Sequence, residues 1–399
     1  MIKRQEIIKR ATENILSIIG PENLELFLKM DEQSGKARDL LKPDLTFSAV
    51  GGMTYGELGP FGRCMRFNGS TGYLRQDPLT EQPTGNVDYK IDLAVCTKRA
   101  QKMVAIASKV GFVRIALKRF GVLNAATLRV VIYTDVAGVP GVAVANGTSD
   151  ILACSAIGTA GYENWGFNFS TPPSLQKNQQ YWVVLEYADT TGVDANNYIF
   201  WACGDYSYGQ PRASLAGAWA SMDTASHVFG IWSDDLALTD DFTIIALAKA
   251  NHTSATRCIF SSATMAAEGS PAIYYSSGGY VFGRVYENNN YRDAVLFRYP
   301  LNQFDVYGIT FAKTDSAGKL QLFANGQVVG TATGTAESQH AQLVQPFYVG
   351  VMTNHLGSLH YHFQGSIGPI IRTKTKLSPE SIGAITGELL ALRKYRMAI

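Results

Sequence analysis

Polar and apolar positions alternate most regularly in residues 319–334, KLQLFANGQVVGTATG. Leu320, Leu322 and Ala324 alternate there with Lys319, Gln321 and Phe323, then Asn325-Gly326 interrupts, and Val328 and Val329 open a second apolar run. Asn-Gly between two such runs predicts a β-hairpin, because a type I′ turn needs positive φ at both central residues. Further strand-like runs stand at Ile259-Phe260, 272–275, 280–286, 306–311 and 347–350. Upstream, residues 110–117, 128–133, 165–169 and 180–186 read as strands, with a turn at Gly138-Val139-Pro140-Gly141 and a break at Pro172-Pro173. The two ends are helical in period. Ile8, Ala11, Ile15, Ile18 and Ile19 form one stripe, Gly20-Pro21 stops it, and Leu24, Phe27 and Leu28 predict a second short helix. At the C-terminus Ser378 suits an N-cap and Pro379 the first turn. Ile382, Ile385 and Leu389 form the stripe there, and Arg393, Lys394 and Arg396 lie towards its end.

The hairpin, the Phe347-Tyr348-Val349-Gly350 strand and the close FQGSIGPIIR…LSPESI resemble a laminin-G-like, concanavalin-A-type jelly roll. The segment FNGSTGYL, residues 67–74, resembles the opening strands of the same domain, yet the DFTI strand expected soon afterwards arrives only at Asp241-Phe242-Thr243-Ile244. The resemblance therefore implies a host domain interrupted by a guest, with Tyr73-Leu74 and Asp241-Phe242 as neighbours along one sheet; folded chains accept insertions where the host ends stay close. The guest contains LRVVIYTDVAGVPG, WGFNFSTPPSLQKNQQYWVVLEY and HVFGIW, which are similar to carbohydrate-binding-module-like jelly rolls. The expected fold class is mainly β: two jelly-roll sandwiches, one inserted in the other, with short helices at both ends. Residues 1–42 form a helical anchor or oligomerisation segment. The laminin-G-like sandwich takes 43–75 and 234–377, the inserted sandwich 76–233, and the C-terminal helix 378–399.

Composition narrows the class. Charged residues make up 17% and aromatics 11%, and there are 38 glycines among 399 residues, a balance suited to β-sandwiches with tight turns. A net charge of +2 excludes a broad nucleic-acid footprint, and no apolar run reaches the roughly 20 residues of a membrane-spanning helix. The N-terminal 20 residues carry six charges in positions that leave no uninterrupted apolar core, which reads against a Sec leader. Five widely spaced cysteines without C-x-x-C predict buried thiols, not disulfides or a zinc site.

The resemblance directs attention to glycosidase chemistry, which needs two carboxyls roughly 5–9.5 Å apart. Glucanases of this fold set theirs on one strand as E-x-D-x-E or E-x-D-x-x-E; no E-x-D occurs here. G-x-S-x-G and the P-loop pattern are absent as well, so the chain is expected not to be an enzyme. His360 and His362 would share a strand face, but two histidines do not complete a zinc site. No cofactor is expected apart from a rim calcium, for which Asp240, Asp241 and Asp305 are the candidates. Sugar binding uses aromatic faces ringed by amides and carboxylates. Two stretches fit: Tyr206, Tyr208 and Arg212 with Trp219, and Tyr286, Asn289, Tyr291 and Asp293. Trp165, Trp182, Trp201 and Trp232 read as core. These features, with the resemblance, lead to the expectation of a bacteriophage virion protein, a tail, baseplate or capsid-surface component made in the host cytoplasm. It would attach to other virion proteins through 1–42, form homo-oligomers and bind glycans, with no nucleic acid and no membrane insertion. A bacterial extracellular carbohydrate-binding protein, or a polysaccharide-degrading enzyme of the concanavalin-A-like fold, stays open.

Overall fold

Strand Asp241–Ala250 is buried at every position from Phe242 to Ala248. It pairs on one side with Asp305–Ala312 and on the other with Gln364–Thr373. A strand with both faces apolar must be covered twice, and the computed structural model shows how. It describes residues 4–30, 36–40, 45–76, 80–82, 87–94, 96–105, 109–204, 211–215, 218–221, 226–232, 241–251, 255–262, 271–287, 290–297, 300–312, 315, 320–332, 347–353 and 359–390.

The chain is mainly β and divides into two compact units. The larger comprises Met1–Asp77, Leu238–Ala341 and Gln345–Ile399; the smaller comprises Pro78–Ala237 with Gln342–Val344. In the larger unit one eight-stranded sheet runs Gln327–Ala332, Leu320–Ala324, Asp305–Ala312, Asp241–Ala250, Gln364–Thr373, Gly62–Asn68, Met53–Gly59, with Leu24–Leu28 also on Gln364–Thr373. The second eight-stranded sheet runs Ala37–Arg38, Thr46–Val50, Tyr73–Gln76, Tyr348–Val349, Arg257–Ser261, Ala272–Tyr275, Tyr280–Glu287, Asn290–Phe297. The sheets meet closely: Ile309, opposite Ile244, abuts Gly283, where an added Cβ would sit 2.2 Å from Ile309 Cγ2. The other face of the first sheet, through Ile245, Leu247, Phe323 and Ile371, packs on helices α1 (Arg4–Ile19) and α2 (Pro379–Leu389).

Two expectations need correction here. Tyr73–Gln76 and Asp241–Ala250 lie in opposite sheets of the unit, not side by side in one; the connection between them is one that changes sheet. Residues 24–28 form a strand, not a helix. Leu24, Phe27 and Leu28 have helical spacing, but all five side chains are buried, and pairing with Gln364–Thr373 satisfies the backbone while Asp39 accepts from Phe27 N at 2.5 Å. Glu25 there meets the fully buried Arg372 guanidinium at 3.0 Å. The apolar stripe of α1 packs within the unit: Ala11, Ile15 and Ile19 are buried in the cluster shared with α2.

The Asn325-Gly326 hairpin forms with φ of 49° and 82°, both positive as the turn requires. Helix α2 starts as its sequence dictates: Ser378 caps Ser381 N, and Ile382, Ile385 and Leu389 are buried. Arg393, Lys394 and Arg396 lie outside the described residues.

The smaller unit has two seven-stranded antiparallel sheets. In one, Phe112–Phe120 pairs with Glu163–Asn168, Tyr198–Gly204 and Phe229–Trp232; in the other the order is Val139–Thr148, Thr127–Val136, Gln180–Asp189, Lys98–Val104, Arg212–Leu215, Ala218–Ser221. The turn expected at residues 138–141 falls one residue earlier. Ala137 and Gly138 carry the positive φ values of 52° and 83°, and Pro140 is a buried strand residue opposite Asp135.

Candidate functional site

Alternation sorts the Gln180–Asp189 sheet into two faces. Gln101, Val183 and Leu185 are buried, and Gln101 accepts from His227 N of the facing sheet at 2.8 Å, which fixes that side as the interior. The outward side reads in rows across the register. Tyr133, Trp182 and Lys102 stand opposite one another, then Val184, Ala100 and Arg212, then Arg129, Glu186, Lys98, Ser214 and Trp219.

This face is aromatic with charged groups around it. Trp182, Ala100 and Val184 form a buried cluster against which the half-buried Tyr133 and Trp219 pack. Trp182 is only 1% exposed, although it points away from the facing sheet; its cover comes from these neighbours and from Lys102, whose Nζ lies 5.3 Å from the ring centroid. Its reading as core holds, in a cluster on the outward side of the sheet. The Trp182 indole donates to Asp135 Oδ1 at 2.7 Å, and Lys102 pairs with the same oxygen at 3.2 Å. Burial pushes the Asp135 carboxyl up, but the indole, Lys102 and the Gly138 amide together outweigh it and hold the carboxyl below its ordinary 3.8. Glu186 is clamped by Lys98 and by Arg129, the latter at 2.6 Å. Arg212 is partly exposed and its Nε has no hydrogen-bond partner among the described residues. Half-buried rings, amphipathic cations and fixed carboxylates on one face are the groups that hold a flat, polyhydroxylated ligand.

The sequence candidates scatter. Arg212 and Trp219 come together on adjacent strands of this face; Tyr206 and Tyr208 lie outside the described residues. The other group belongs to the larger unit. Tyr286 and Tyr291 are opposite in the Tyr280–Glu287/Asn290–Phe297 hairpin, and Asn289 is outside the described residues. Asp293 accepts two 2.8 Å hydrogen bonds from Arg284, whose guanidinium lies 5.0 Å from the Tyr274 ring centroid. The described candidates therefore divide between the units, Arg212 and Trp219 in the smaller and Tyr286, Tyr291 and Asp293 in the larger.

The calcium candidates do not converge. Asp305 pairs opposite Ala248, while Asp241 begins that strand, so at ~3.3 Å per residue they are about 23 Å apart. Asp305 has a structural task instead: its buried carboxylate accepts from Gln303 and Asn325 at 2.9 and 2.8 Å and so supports the hairpin turn. Asp240 is outside the described residues. Among the described residues no three His, Cys, Asp or Glu side chains group as metal ligands. Tyr361 at φ 56° breaks the extended geometry that would have set His360 and His362 on one face.

One pair was not foreseen. Cys203 Sγ lies 2.8 Å from His227 Nδ1, with Trp201 stacked on the imidazole at 4.1 Å. Twenty-four residues separate the two, and nothing in either local sequence points to the other. Burial pushes the thiol far up and the imidazole well below 6.5, so both are neutral and the pair is a core hydrogen bond, not an activated nucleophile.

Comparisons with known proteins place part of the chain. No curated protein matches the sequence. Among solved structures, the sialidase CBM40 of Ruminococcus gnavus bound to α2,3-sialyllactose is 20% identical; the match covers 37% of this chain and 83% of that one at TM-score 0.31. The native heptameric SAP-like pentraxin of Limulus polyphemus is 17% identical over 38% of this chain and 72% of its own, at TM-score 0.32. The binding domain of botulinum neurotoxin DC in complex with SialylT is 15% identical over 38% and 36%, at TM-score 0.27. Residues 216–383 match the laminin-G-type model of the concanavalin A-like lectin/glucanases superfamily, and that stretch is concanavalin A-like in sequence.

Proposed function

We propose that the chain is a non-catalytic carbohydrate-binding protein whose recognition surface is the outward Tyr133–Trp182–Trp219 face of the smaller unit. The observation that carries this reading is the packing of Tyr133 and Trp219 on buried Trp182, with Lys102 and Arg212 on the same face. A pyranose stacks its apolar side on such rings and gives its hydroxyls to the surrounding polar groups. The lectin/glucanase match of residues 216–383 supports the class. The carboxylates on the face argue for binding over hydrolysis: Asp135 and Glu186 are both ion-paired, whereas a glycosidase acid must be free to carry a proton. A glycan array read with the wild-type chain and with Trp219→Ala tests this. Signal lost in the variant supports it, and equal signal, or none from the wild type, counts against it.

The same reading sets the protein on a bacteriophage particle as an adhesive or decorating component, assembled from several copies. All five cysteines are free and buried, which suits folding in a reducing cytoplasm. Since the apolar stripe of α1 is covered, attachment through residues 1–42 would use its exposed polar side, including Lys9, Arg10 and Glu13. Immunogold imaging of intact particles with an antibody to the chain is the test; unlabelled particles would remove the virion setting.

A further inference from the structure

A second polar cleft opens in the larger unit, on the side of the first sheet away from its partner sheet. It is lined by Gly52, Thr54, Arg66, Asn68, Asn251 and Gln364, with Phe67 at its base, and measures about 260 Å³. The register explains the convergence. Arg66 stands opposite Thr54 and Ser366, and Ser366 opposite Lys249; Asn68 stands opposite Gln364, whose carbonyl accepts from Asn251 N at 3.0 Å. The rim is rigid, because Asn68 Oδ1 accepts from the amides of Ser70, Thr71 and Gly72, each at 3.0 Å, and its Nδ2 donates to Thr71.

Two of the cleft's polar groups, Asn251 Oδ1 and the Arg66 side chain, have no partner among the described residues. Asn251 Oδ1 accepts no hydrogen bond among the described residues. Arg66 is exposed and makes no ion pair among the described residues. Lys249, two strands away on the same row, adds positive charge and holds its Nζ 5.1 Å from the Phe304 ring centroid. A guanidinium fork matches a carboxylate with two parallel hydrogen bonds. A fully deprotonated inorganic anion such as sulfate would satisfy Arg66 but offers no donor to the Asn251 acceptor, which a hydroxyl or amide would supply. The volume lies below the roughly 300–1,000 Å³ of clefts that take drug-sized ligands, which limits the occupant to one small residue.

We infer that this cleft binds a single carboxylate-bearing saccharide residue, the carboxylate on Arg66 and ring hydroxyls on Asn251, Gln364 and Thr54. The site is independent of the Trp219 face, which belongs to the other unit. Methyl glucuronide and methyl glucoside, titrated into the full chain by calorimetry or saturation-transfer NMR, test it. The glucuronide binds, and the glucoside binds at least about tenfold more weakly, as loss of a charge-assisted pair requires. Arg66→Gln removes that preference, Arg66→Lys keeps part of it, and Asn251→Asp, which sets a negative charge beside the carboxylate, abolishes glucuronide binding. Trp219→Ala leaves glucuronide binding unchanged, so failure here and failure of the aromatic face are told apart. No glucuronide binding by the wild type, equal affinity for the glucoside, indifference to Arg66→Gln, or loss with Trp219→Ala would each overturn the inference.

Discussion

Glu25→Gln tests the reassignment of residues 24–28 from helix to core strand. Arg372 is 0% exposed, its Nε lies 3.0 Å from Glu25 Oε2, and its guanidinium is 5.2 Å from the Phe347 ring centroid. Burial lowers the arginine's affinity for its proton and Glu25 restores part of it, yet the group stays charged at any ordinary pH. Taking the carboxylate's charge away leaves a desolvated cation, a change that costs about 3–5 kcal/mol. For a unit of this size that corresponds to a fall in Tm of roughly 6–20 °C. Calorimetry should show the loss in the transition of the larger unit, with the smaller unit's transition unmoved. The double variant Glu25→Gln/Arg372→Met should recover most of it, because an apolar replacement of a buried pair is close to neutral or better. A shift under about 2 °C for the single variant, or a double variant worse than the single, would refute the reasoning.

Three further outcomes follow from other parts of the structure. Gly326→Ala imposes a side chain at φ 82° and sets its Cβ 2.9 Å from Gly383 Cα of α2; chemical denaturation should show a loss of about 1–3 kcal/mol. Asp135 has a depressed folded value, so its contribution is complete above the unfolded carboxyl value of about 3.9 and is lost as pH falls through the folded one. Tryptophan fluorescence should accordingly stay flat from about pH 8 to about pH 5 and change only below about pH 4, and Asp135→Asn should abolish that acid limb. Burial pushes Cys154 up to about 12 and Cys203 and Cys258 higher still. A disulfide reagent at about pH 8 should therefore find no reactive thiol in the native chain and five after unfolding.

Local chemistry made some elements legible and left others hidden. The Asn325-Gly326 hairpin and the Ser378-Pro379 helix start are dictated by a few adjacent residues, and both form as read. Residues 24–28 were misread because Leu24, Phe27 and Leu28 satisfy a helical period, while a strand buried on both faces has no alternation to betray it. Trp219 and Arg212 could be singled out as aromatic and cationic, but their partners Trp182, Tyr133 and Lys102 arrive by strand pairing across 30 to 110 positions of sequence. The same holds for the Arg66 cleft, where Gln364 and Asn251 join Asn68 through long-range register. Asp305 looked like a rim ligand, and only the fold shows it spent on Asn325.

The central claim is that the outward aromatic face of the smaller unit receives a sugar, and the indole N–H signals of the chain's five tryptophans test it most directly. With a glycan identified on the array, titration should move the Trp219 indole resonance, assigned through Trp219→Phe, while Trp201 and Trp232, which are fully buried in the other sheet, stay in place. Saturable binding that leaves the Trp219 signal unmoved would contradict the account.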